Sequence, residues 1–232
     1  MSAIMFMQHY NTFLEIIKLP RAALHFAEVI DPVDIKATYR NYTKPHPRYK
    51  IIGHKTIGAA LVDLSAYPDR HAYLDAIKGR NHGGFHAKRA RSRGYVMRDI
   101  DRNDYIDDIH AINISLDVRQ GRALDQQYRD KSAGYERQRH FRYWGVVNPQ
   151  GKLVAYASLG IYGNFASFSQ MMGIRNNDGI MHLLLSEAIC RLIDRGEVRY
   201  VMYDTFFGAQ PGLRNFKTIL GFRPYRASFS LQ

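Results

Sequence analysis

The sequence predicts a mixed α/β (α+β) fold built around a mostly antiparallel sheet. Two observations predict it, both in residues 143–232 of the 232-residue chain. Three strand-like runs follow one another with only short turns between them, which is typical of antiparallel neighbours. A long segment whose apolar residues recur at helical spacing comes next, and a strand, a short helix and a last strand follow it.

The three runs are defined by their residue types. Residues 143–147 are mainly apolar and end at the turn residues 148–151, which read NPQG. Residues 153–161 mix small, aromatic and β-branched side chains. After a turn at 162–164, residues 165–172 alternate large and small side chains with period two. Each run is therefore predicted as a strand.

The helical segment begins just after residue 178. Its apolar residues recur at helical spacing from Ile180 to Ile193, with Asp178 as the predicted N-cap and Gly196 as the stop. Three shorter elements are predicted after it: a buried strand over 200–203, a helix over 212–220 closed by Gly221, and a strand over 222–231.

The first seventy residues carry weaker signals. Residues 22–30 are predicted as one helix, and residues 43–47 as a loop because prolines fix its backbone. Residues 51–64 are predicted as a strand pair or one long strand, which either pairs with the main sheet or covers a cleft. The predicted organisation is an N-terminal segment, helical with a strand pair, that packs on a main domain; the two parts are residues 1–93 and 94–232.

The chain is strongly basic, with 33 lysines and arginines against 21 acidic residues and a formal charge of +12. Such an excess attracts polyanions, including nucleic acid and phosphate-rich cofactors. Cations cluster within residues 82–93 and 137–142, and aromatic residues interleave the second cluster. The cations predicted to contact nucleic acid are Lys88, Arg89, Arg91, Arg93, Arg137 and Arg139. The competing interpretation is a solvated helix face and a strand whose aromatic residues point into the core.

Several kinds of site are disfavoured by the sequence. The single cysteine, Cys190, allows no disulfide within the chain and is predicted as a small buried thiol. No run of 18 apolar residues occurs, so a soluble cytoplasmic protein is expected. The ten histidines show no metal-ligand spacing, and no nucleophile elbow or phosphate-loop motif is present. We therefore expect no bound metal and no tightly bound cofactor.

A motif closes the chain. Residues 212–222 read GLRNFKTILGF and follow Tyr203 and Asp204. This motif is similar to the closing signature of the FemAB group of aminoacyl transferases, which is a branch of the acetyltransferase-like fold called GNAT. The resemblance implies a GNAT-like mixed, mostly antiparallel sheet with helices on both faces.

Two upstream stretches agree with this resemblance. Residues 73–77 and 88–96 read YLDAI and KRARSRGYV, and they resemble the family's basic helix and the first strand that follows it. Residues 104–120 resemble the helix that closes on a Thr-x-x-Arg element there. Together the similar stretches cover roughly residues 70–232.

The resemblance implies a function and roles for individual residues. The implied reaction moves an acyl group from an activated donor, with aminoacyl-tRNA favoured, to an amine on a small-molecule or peptide acceptor. Lys217 is implied to neutralise the developing oxyanion or a terminal phosphate from the edge of its helix, and Asp204 to take the amine proton. The residues implied in substrate binding are Arg119, Arg122, Ser169, Gln170, Arg175 and Arg214. The alternatives are a surface lysine for Lys217, capping of the following loop for Asp204, and a purely structural role at a helix end for Arg119 and Arg122.

Residues 175–180 occupy the position where this fold binds the pyrophosphate of acetyl-coenzyme A. The loop there has the form Gln/Arg-x-x-Gly-x-Gly/Ala at a helix start, whereas this chain reads RNNDGI. Arg175 fits, but Asp178 is predicted to repel a pyrophosphate and Ile180 to crowd it. The alternatives to an aminoacyl-tRNA donor are acyl-coenzyme A or an acyl carrier protein, and the alternative to an enzyme is a non-catalytic nucleic-acid binder.

Overall fold

The computed structural model describes residues 16–46, 50, 53–116, 118–119, 122–207 and 209–232, with the backbone alone for 118, 119 and 122. Its strands are β1 (Arg21–Phe26), β2 (Ile57–Asp63), β3 (Val96–Asp99), β4 (Val118–Arg119), β5 (Arg122–Ala123), β6 (Phe141–Val147), β7 (Leu153–Ile161), β8 (Phe165–Gly173), β9 (Tyr200–Thr205) and β10 (Arg223–Leu231).

Eight of these strands form one sheet in the order β1-β10-β2-β9-β8-β7-β6-β3. Five of its seven ladders are antiparallel, and the parallel ones join β1 to β10 and β8 to β9. The short strands β4 and β5 form a separate antiparallel pair. The predicted mixed and mostly antiparallel sheet is confirmed.

Helices cover both faces of the sheet. The α-helices are α1 (Pro32–Thr43), α2 (Arg70–Ala76), α3 (Gly83–Ser92), α4 (Ile106–Asn113), α5 (Gln126–Arg129), α6 (Ile180–Arg195) and α7 (Pro211–Ile219). One apolar core lies under α2, α3 and α6 and includes the fully buried Trp144. The opposite face packs against α1 and α4, which bury Phe26 and Tyr156 respectively. Burial of these apolar faces is what holds the layers together.

The predicted meander and long helix are confirmed as β6, β7, β8 and α6. Gly196 ends α6 with a left-handed φ of 61°, as predicted. The predicted cap at its start is wrong. The N-cap of α6 is Gly179, with φ 86°, and Asp178 instead accepts a hydrogen bond from the Tyr95 hydroxyl at 2.7 Å.

The predicted helix over residues 22–30 is wrong. Ala22, Leu24 and Phe26 are buried while Arg21 and Ala23 are exposed, which is the period-two pattern of a strand. Parallel pairing with β10 favours this conformation, because it buries the apolar side of β1 in the core beneath α1. Only the following three residues, Glu28–Ile30, form a 3₁₀ turn.

Two other sequence predictions are refined. The segment predicted over residues 51–64 contributes β2, which lies inside the main sheet between β10 and β9; residues 51 and 52 lie outside the described ranges. The helix predicted over residues 104–120 ends at Asn113, so Arg119 lies in β4 rather than at a helix end.

The sheet opens between β8 and β9. Their parallel pairing comprises three residue pairs, from Phe165 with Tyr200 to Ser167 with Met202. Beyond Ser167, β8 continues its pairing with β7 up to Gly173, whereas β9 continues its pairing with β2. The carboxyl-terminal ends of the two parallel strands therefore diverge and leave a cleft, which is where ligands bind in many sheets of this kind.

Candidate active site

A cavity of about 250 Å³ lies in the cleft between the ends of β8 and β9. Two sequence-predicted residues of β8, Ser169 and Gln170, line it together with Asp204 of β9. The other lining residues are Lys55, Ala123, Leu124, Asp125, Tyr128, Phe168, Met171 and Tyr203. The structure thus brings Ser169, Gln170 and Asp204 together in one cavity, and their roles there stay predictions.

A β-bulge turns the end of β9 toward this cavity. Ala59 and Leu61 of β2 pair with Thr205 and Met202, so that two residues of β9 stand opposite one residue of β2. The second of these two residues of β9, Asp204, has a left-handed φ of 52°, a conformation that aspartate tolerates better than most residues. Because of the bulge, the consecutive side chains of Tyr203 and Asp204 both line the cavity instead of pointing to opposite faces.

Asp204 forms an ion pair with Lys55, from the turn before β2. The Lys55 ammonium donates to Asp204 Oδ1 at 2.9 Å; 18% of the lysine side chain and 61% of the aspartate side chain are exposed. Burial acts to raise the pKa of Asp204, but the Lys55 ammonium and its hydrogen bond outweigh this and hold that pKa below its ordinary value. Burial likewise opposes the charge of Lys55, yet Tyr42 and Asp204 raise its pKa. Both groups are therefore charged at neutral pH.

The core of the sheet supports Lys55 from below. Its ammonium lies 4.8 Å from the centroid of the Tyr42 ring, a cation–π contact. The buried Tyr42 hydroxyl donates to Ser167 Oγ at 2.8 Å. Ser167 is the last residue of β8 that pairs with β9, so Lys55 is anchored at the point where the strands separate. Lys55 was not among the site residues that the sequence predicted.

Lys217 is buried, with 1% of its surface exposed. Its ammonium donates to the Thr205 carbonyl at 2.8 Å and lies 4.6 Å from the centroid of the Tyr203 ring. Burial lowers the pKa of Lys217 to about 8. The predicted position at the helix edge, with the ammonium over the cleft, is wrong: Leu213, Phe216 and Lys217 on the inward face of α7 continue into the C-cap Leu220, at i, i+3, i+4 and i+7. Lys217 sits in the middle of that stripe.

The remaining predicted binding residues lie elsewhere. Arg214 is exposed on α7 and does not line the cavity. Arg119 and Arg122 lie in β4 and β5, shortly before the cavity-lining Ala123, and their side chains fall outside the described part of the chain. The contact that each makes with a substrate stays a prediction.

A second cavity, of about 480 Å³, lies at the start of α6 and includes Arg89, Arg175 and His182 in its lining. A smaller cavity of about 190 Å³ connects the two: it shares Leu124, Met171 and Tyr203 with the cleft cavity and Leu116, Gly173 and Met181 with the one at α6. A groove therefore runs along the end of β8 from the Lys55–Asp204 pair to the start of α6.

The loop before α6 does not obstruct a phosphate in the way that the sequence predicted. Asp178 is paired with Arg93 and with the Tyr95 hydroxyl, and Ile180 is 2% exposed and packed in the apolar core. The charge of Asp178 is therefore compensated, and the Ile180 side chain points into the core rather than at the loop. The predicted repulsion and crowding of a phosphate do not hold. Burial, with His86 and Arg89 adding to it, lowers the pKa of His182 to about 4, so this imidazole is neutral at pH 7.

The basic cluster on α3 is partly paired within the chain. Arg91 forms an ion pair with Glu187, Arg93 pairs with Asp178, and Arg89 donates to the Asn177 carbonyl. Lys88 is exposed on the same helix. The four cations therefore present a positive surface beside the cavity at α6, of which the charges of Arg91 and Arg93 are partly compensated.

The second cluster is mostly structural. Tyr143 and Trp144 are buried in the core and are not accessible for stacking on bases. His140 is buried with Nε2 2.9 Å from Asp34 Oδ2, and Arg142 donates to Glu197 at 2.9 Å. Arg137 and Arg139 remain exposed, and their contact with nucleic acid stays a prediction.

Other side chains offer less chemistry. Cys190 is buried in α6, and burial raises its pKa to about 11, as suits a structural thiol. Within the described ranges, three His, Cys, Asp or Glu side chains are nowhere grouped to hold a metal ion. The helices of the described chain are all too short or too polar to cross a bilayer.

No protein-family model matches the sequence, and no curated protein resembles it significantly. Its fold is similar to that of FemX, with a TM-score of 0.57 and 10% identity over 84% of this chain and 66% of FemX. A conserved protein of unknown function from Bacteroides thetaiotaomicron gives 0.50 and 16%, over 72% and 56% of the two chains. L-PGS from Bacillus licheniformis gives 0.45 and 16%, over 72% and 57%.

These similarities concern the fold. The chain spans between 56% and 66% of the length of these three structures. At 10% and 16% identity, the similarity to FemX and to the Bacteroides thetaiotaomicron protein is one of overall fold. The fold is therefore similar to that of FemX, and its mixed, mostly antiparallel sheet is the fold class that the sequence predicted.

Proposed function

We propose that this protein is an acyltransferase that moves an acyl group, in the first instance the aminoacyl group of an aminoacyl-tRNA, to the amine of a small or peptide-like acceptor. One observation carries the proposal: the sheet opens at β8 and β9 into a cavity that contains the paired charges of Lys55 and Asp204. Acyl transfer to an amine needs a proton acceptor and a positive group near the carbonyl oxygen, and the cavity contains both.

Asp204 is the proposed proton acceptor. Its Oδ1 is held by Lys55, while most of its side chain is exposed in the cleft, so that a carboxylate oxygen is accessible to an amine. Lys217 acts from behind the cleft: it holds the Thr205 carbonyl and lies under the Tyr203 ring, and both neighbours flank Asp204. Ser169 and Gln170 line the opposite wall, where the edge of β8 that faces β9 is no longer paired with it.

The groove toward α6 fits a donor that carries phosphate. Arg89 and Arg175 line its far end, and the free N–H groups at a helix start favour anions. The formal charge of +12 and the FemAB-like motif support aminoacyl-tRNA as this donor. Acyl-coenzyme A is the second candidate, and one observation favours it: Asp178 is paired with Arg93 and Ile180 is buried, which leaves the start of α6 open to a pyrophosphate.

Donor consumption tests the proposal. The full chain is incubated with a pool of charged tRNAs or with acetyl-coenzyme A, in the presence of a panel of primary amines, and the loss of the ester or thioester is followed. We expect amine-dependent loss of aminoacyl-tRNA above the rate of spontaneous hydrolysis. Amine-dependent loss of acetyl-coenzyme A alone would select the second donor. Loss of neither would contradict the proposed function.

A further inference from the structure

We propose that Lys55 is the catalytic cation of the cleft: its ammonium donates a hydrogen bond to the oxygen of the acyl carbonyl as negative charge develops there. This inference rests on the proposed acyl transfer, and it assigns to the turn before β2 the role that sequence similarity implies for α7. The two lysines near Asp204 differ in one respect that decides between them, which is where each ammonium is directed.

Lys55 reaches the cavity and Lys217 does not. Lys55 lines the cavity and keeps 18% of its side chain exposed, whereas Lys217 is absent from the lining and is 1% exposed. The Lys217 ammonium is directed at the Thr205 carbonyl behind β9. A donor acts on an oxyanion only within hydrogen-bond distance of it, so the accessible lysine is the one able to contact the acyl group.

The environment of Lys55 leaves N–H bonds for a substrate. An ammonium carries three N–H donors. One is directed at Asp204 Oδ1 at 2.9 Å, and the Tyr42 ring lies on another side with its centroid 4.8 Å from the nitrogen. These contacts fix the ammonium at the floor of the cavity before the substrate arrives, which is the preorganisation that makes such a donor effective.

The pairing of Lys55 with Asp204 matches the geometry of the adduct. In the tetrahedral adduct, the negative oxygen and the attacking nitrogen are bonded to one carbon and are therefore neighbours. Lys55 and Asp204 present a donor and an acceptor side by side, 2.9 Å apart. The ammonium can thus contact the oxygen while a carboxylate oxygen contacts the nitrogen.

The step balances with these two groups. The amine nitrogen forms a bond to the acyl carbon, and the π electrons of the carbonyl move onto its oxygen, where Lys55 stabilises the charge. Asp204 takes the proton from the nitrogen. The oxyanion then re-forms the carbonyl and expels the leaving oxygen of the donor ester, or the sulfur of a thioester, which takes up that proton and departs as the hydroxyl or thiol.

Replacement and chemical restoration of the ammonium test the inference. In Lys55→Cys the charge is lost, and aminoethylation with 2-bromoethylamine rebuilds a side chain of nearly the same length that ends in an ammonium. The single native cysteine, Cys190, is buried and stays unmodified under mild conditions. The matched control is Lys152→Cys, which is exposed in the turn between β6 and β7.

We expect Lys55→Cys to lower kcat about 100-fold, as loss of one oxyanion donor does, with the donor KM nearly unchanged. Aminoethylation should restore at least a tenth of the lost activity, and the Lys152 control should respond to neither treatment. Wild-type kcat in Lys55→Cys would overturn the inference. So would a loss that aminoethylation fails to reverse in a variant with the wild-type melting temperature. In either case, activity of the wild type would leave the proposed function standing.

The pH profile of kcat is a second readout. It also uses the conservative variant Lys55→Arg, which provides a test if Lys55→Cys folds poorly. The charged or titratable groups that interact with Lys55 are Asp204, Tyr42, His54 and Lys217, and Asp125, Tyr128 and Tyr203 line the same cavity. Because arginine keeps the positive charge beside Asp204, the acid limb of kcat should stay where it is in the wild type. In the aminoethylation series it should move to higher pH in Lys55→Cys and return on modification. An acid limb that stays in place in Lys55→Cys would contradict the pairing of Lys55 with Asp204 on which the inference rests.

Discussion

The ammonium of Lys55 lies 2.9 Å from the carboxylate of Asp204, although 149 positions of sequence separate the two residues. The pair joins the turn before β2 to the bulged end of β9, and it forms only because β2 lies between β9 and β10 in the sheet. The N-terminal part of the chain therefore supplies one half of the charge pair in the cleft, and the C-terminal part supplies the other.

Asp204→Asn should separate catalysis from folding. Asparagine adopts left-handed φ values as readily as aspartate, so the bulge should persist and the melting temperature should change little. The amide is a poor proton acceptor, and we expect the transfer rate to fall by about 100-fold or more. Rates and thermal melts of Asp204→Asn are compared with those of Asp75→Asn, an exposed change at the end of α2. Equal transfer rates in Asp204→Asn and the wild type would remove Asp204 from the mechanism.

Lys217 should prove to be a stability residue. Truncation in Lys217→Ala leaves a cavity in the inward face of α7 and removes the donor to the Thr205 carbonyl, so we expect the free energy of unfolding to fall by about 2 to 4 kcal/mol. Lys217→Met keeps the packing and removes a buried charge, and its stability should stay within about 1 kcal/mol of the wild type. Urea unfolding of the three proteins measures both values. An unaffected Lys217→Ala would place this side chain at the surface.

The same lysine should make stability depend on pH. Burial lowers its pKa from 10.5 to about 8, so between these values the unfolded chain binds more protons at this site than the folded chain. The contribution of Lys217 to stability therefore rises with pH in that window, by about 1 to 2 kcal/mol between pH 8 and 9.5. Below pH 8 the group is protonated in both states and contributes no slope.

Cys190 also titrates in that window: burial raises its pKa to about 11, so the unfolded thiol loses its proton first and stability falls as the pH rises. Because this contribution is common to the wild type and Lys217→Met, the difference between the two proteins isolates Lys217. The buried tyrosines Tyr42 and Tyr162, whose pKa values burial raises, lower stability only as the pH passes the ordinary tyrosine value near 10. Urea midpoints of the wild type and of Lys217→Met, taken from pH 7 to 9.5, check this prediction. The stability of the wild type should rise relative to that of Lys217→Met, and an equal pH dependence in both proteins would assign it to other groups.

The cluster on α3 should bind nucleic acid weakly but measurably through its uncompensated charges. Arg91 and Arg93 already pair with Glu187 and Asp178, whereas Lys88 is exposed and Arg89 donates to a neutral carbonyl. Changing all four residues to Ala should therefore flatten the log–log salt dependence of duplex binding by about 2 units, near 0.9 for each uncompensated contact.

An equal loss of charge at the opposite edge of the sheet controls for net charge. The four exposed residues replaced by Ala in that control are Lys18, Arg21, Arg40 and Arg223. The slope of the control should match the wild type. Equal flattening in both quadruple variants would show that net charge, rather than the α3 surface, governs binding.

Local patterns predicted much of the C-terminal half. The bounds of β7 follow from its residue types, and Gly196 ends α6 because a left-handed stop favours glycine. Residues 22–30 were predicted as a helix, although Ala22, Leu24 and Phe26 alternate with the period of a strand. Parallel pairing with β10, about 200 positions away, decides the outcome, and a short window of sequence contains no information about that pairing.

Only the part of the site that β8 and β9 contribute was predictable from the sequence. Asp204, Ser169 and Gln170 were identified through the resemblance to the FemAB group; Asp204 follows the apolar run 200–203, and Ser169 and Gln170 lie near the end of the run 165–172. Lys55 is one polar residue in a turn, and what makes it functional is a contact across the sheet. The burial of Lys217 was not predicted because lysine is usually a surface residue, whereas this lysine lies on the inward face of α7.

The most direct measurement follows a labelled aminoacyl group from tRNA to amine. Aminoacyl-tRNA carrying a radioactive amino acid is incubated with a panel of amines and either the wild type or Asp204→Asn, and the label is counted after mild alkali, which cleaves the ester but not an amide. We expect the wild type to convert label into an alkali-stable amide and Asp204→Asn to form it about 100-fold more slowly or not at all. Formation of no amide by the wild type, with aminoacyl-tRNA or with labelled acyl-coenzyme A, would contradict the account, and so would equal rates in the two proteins.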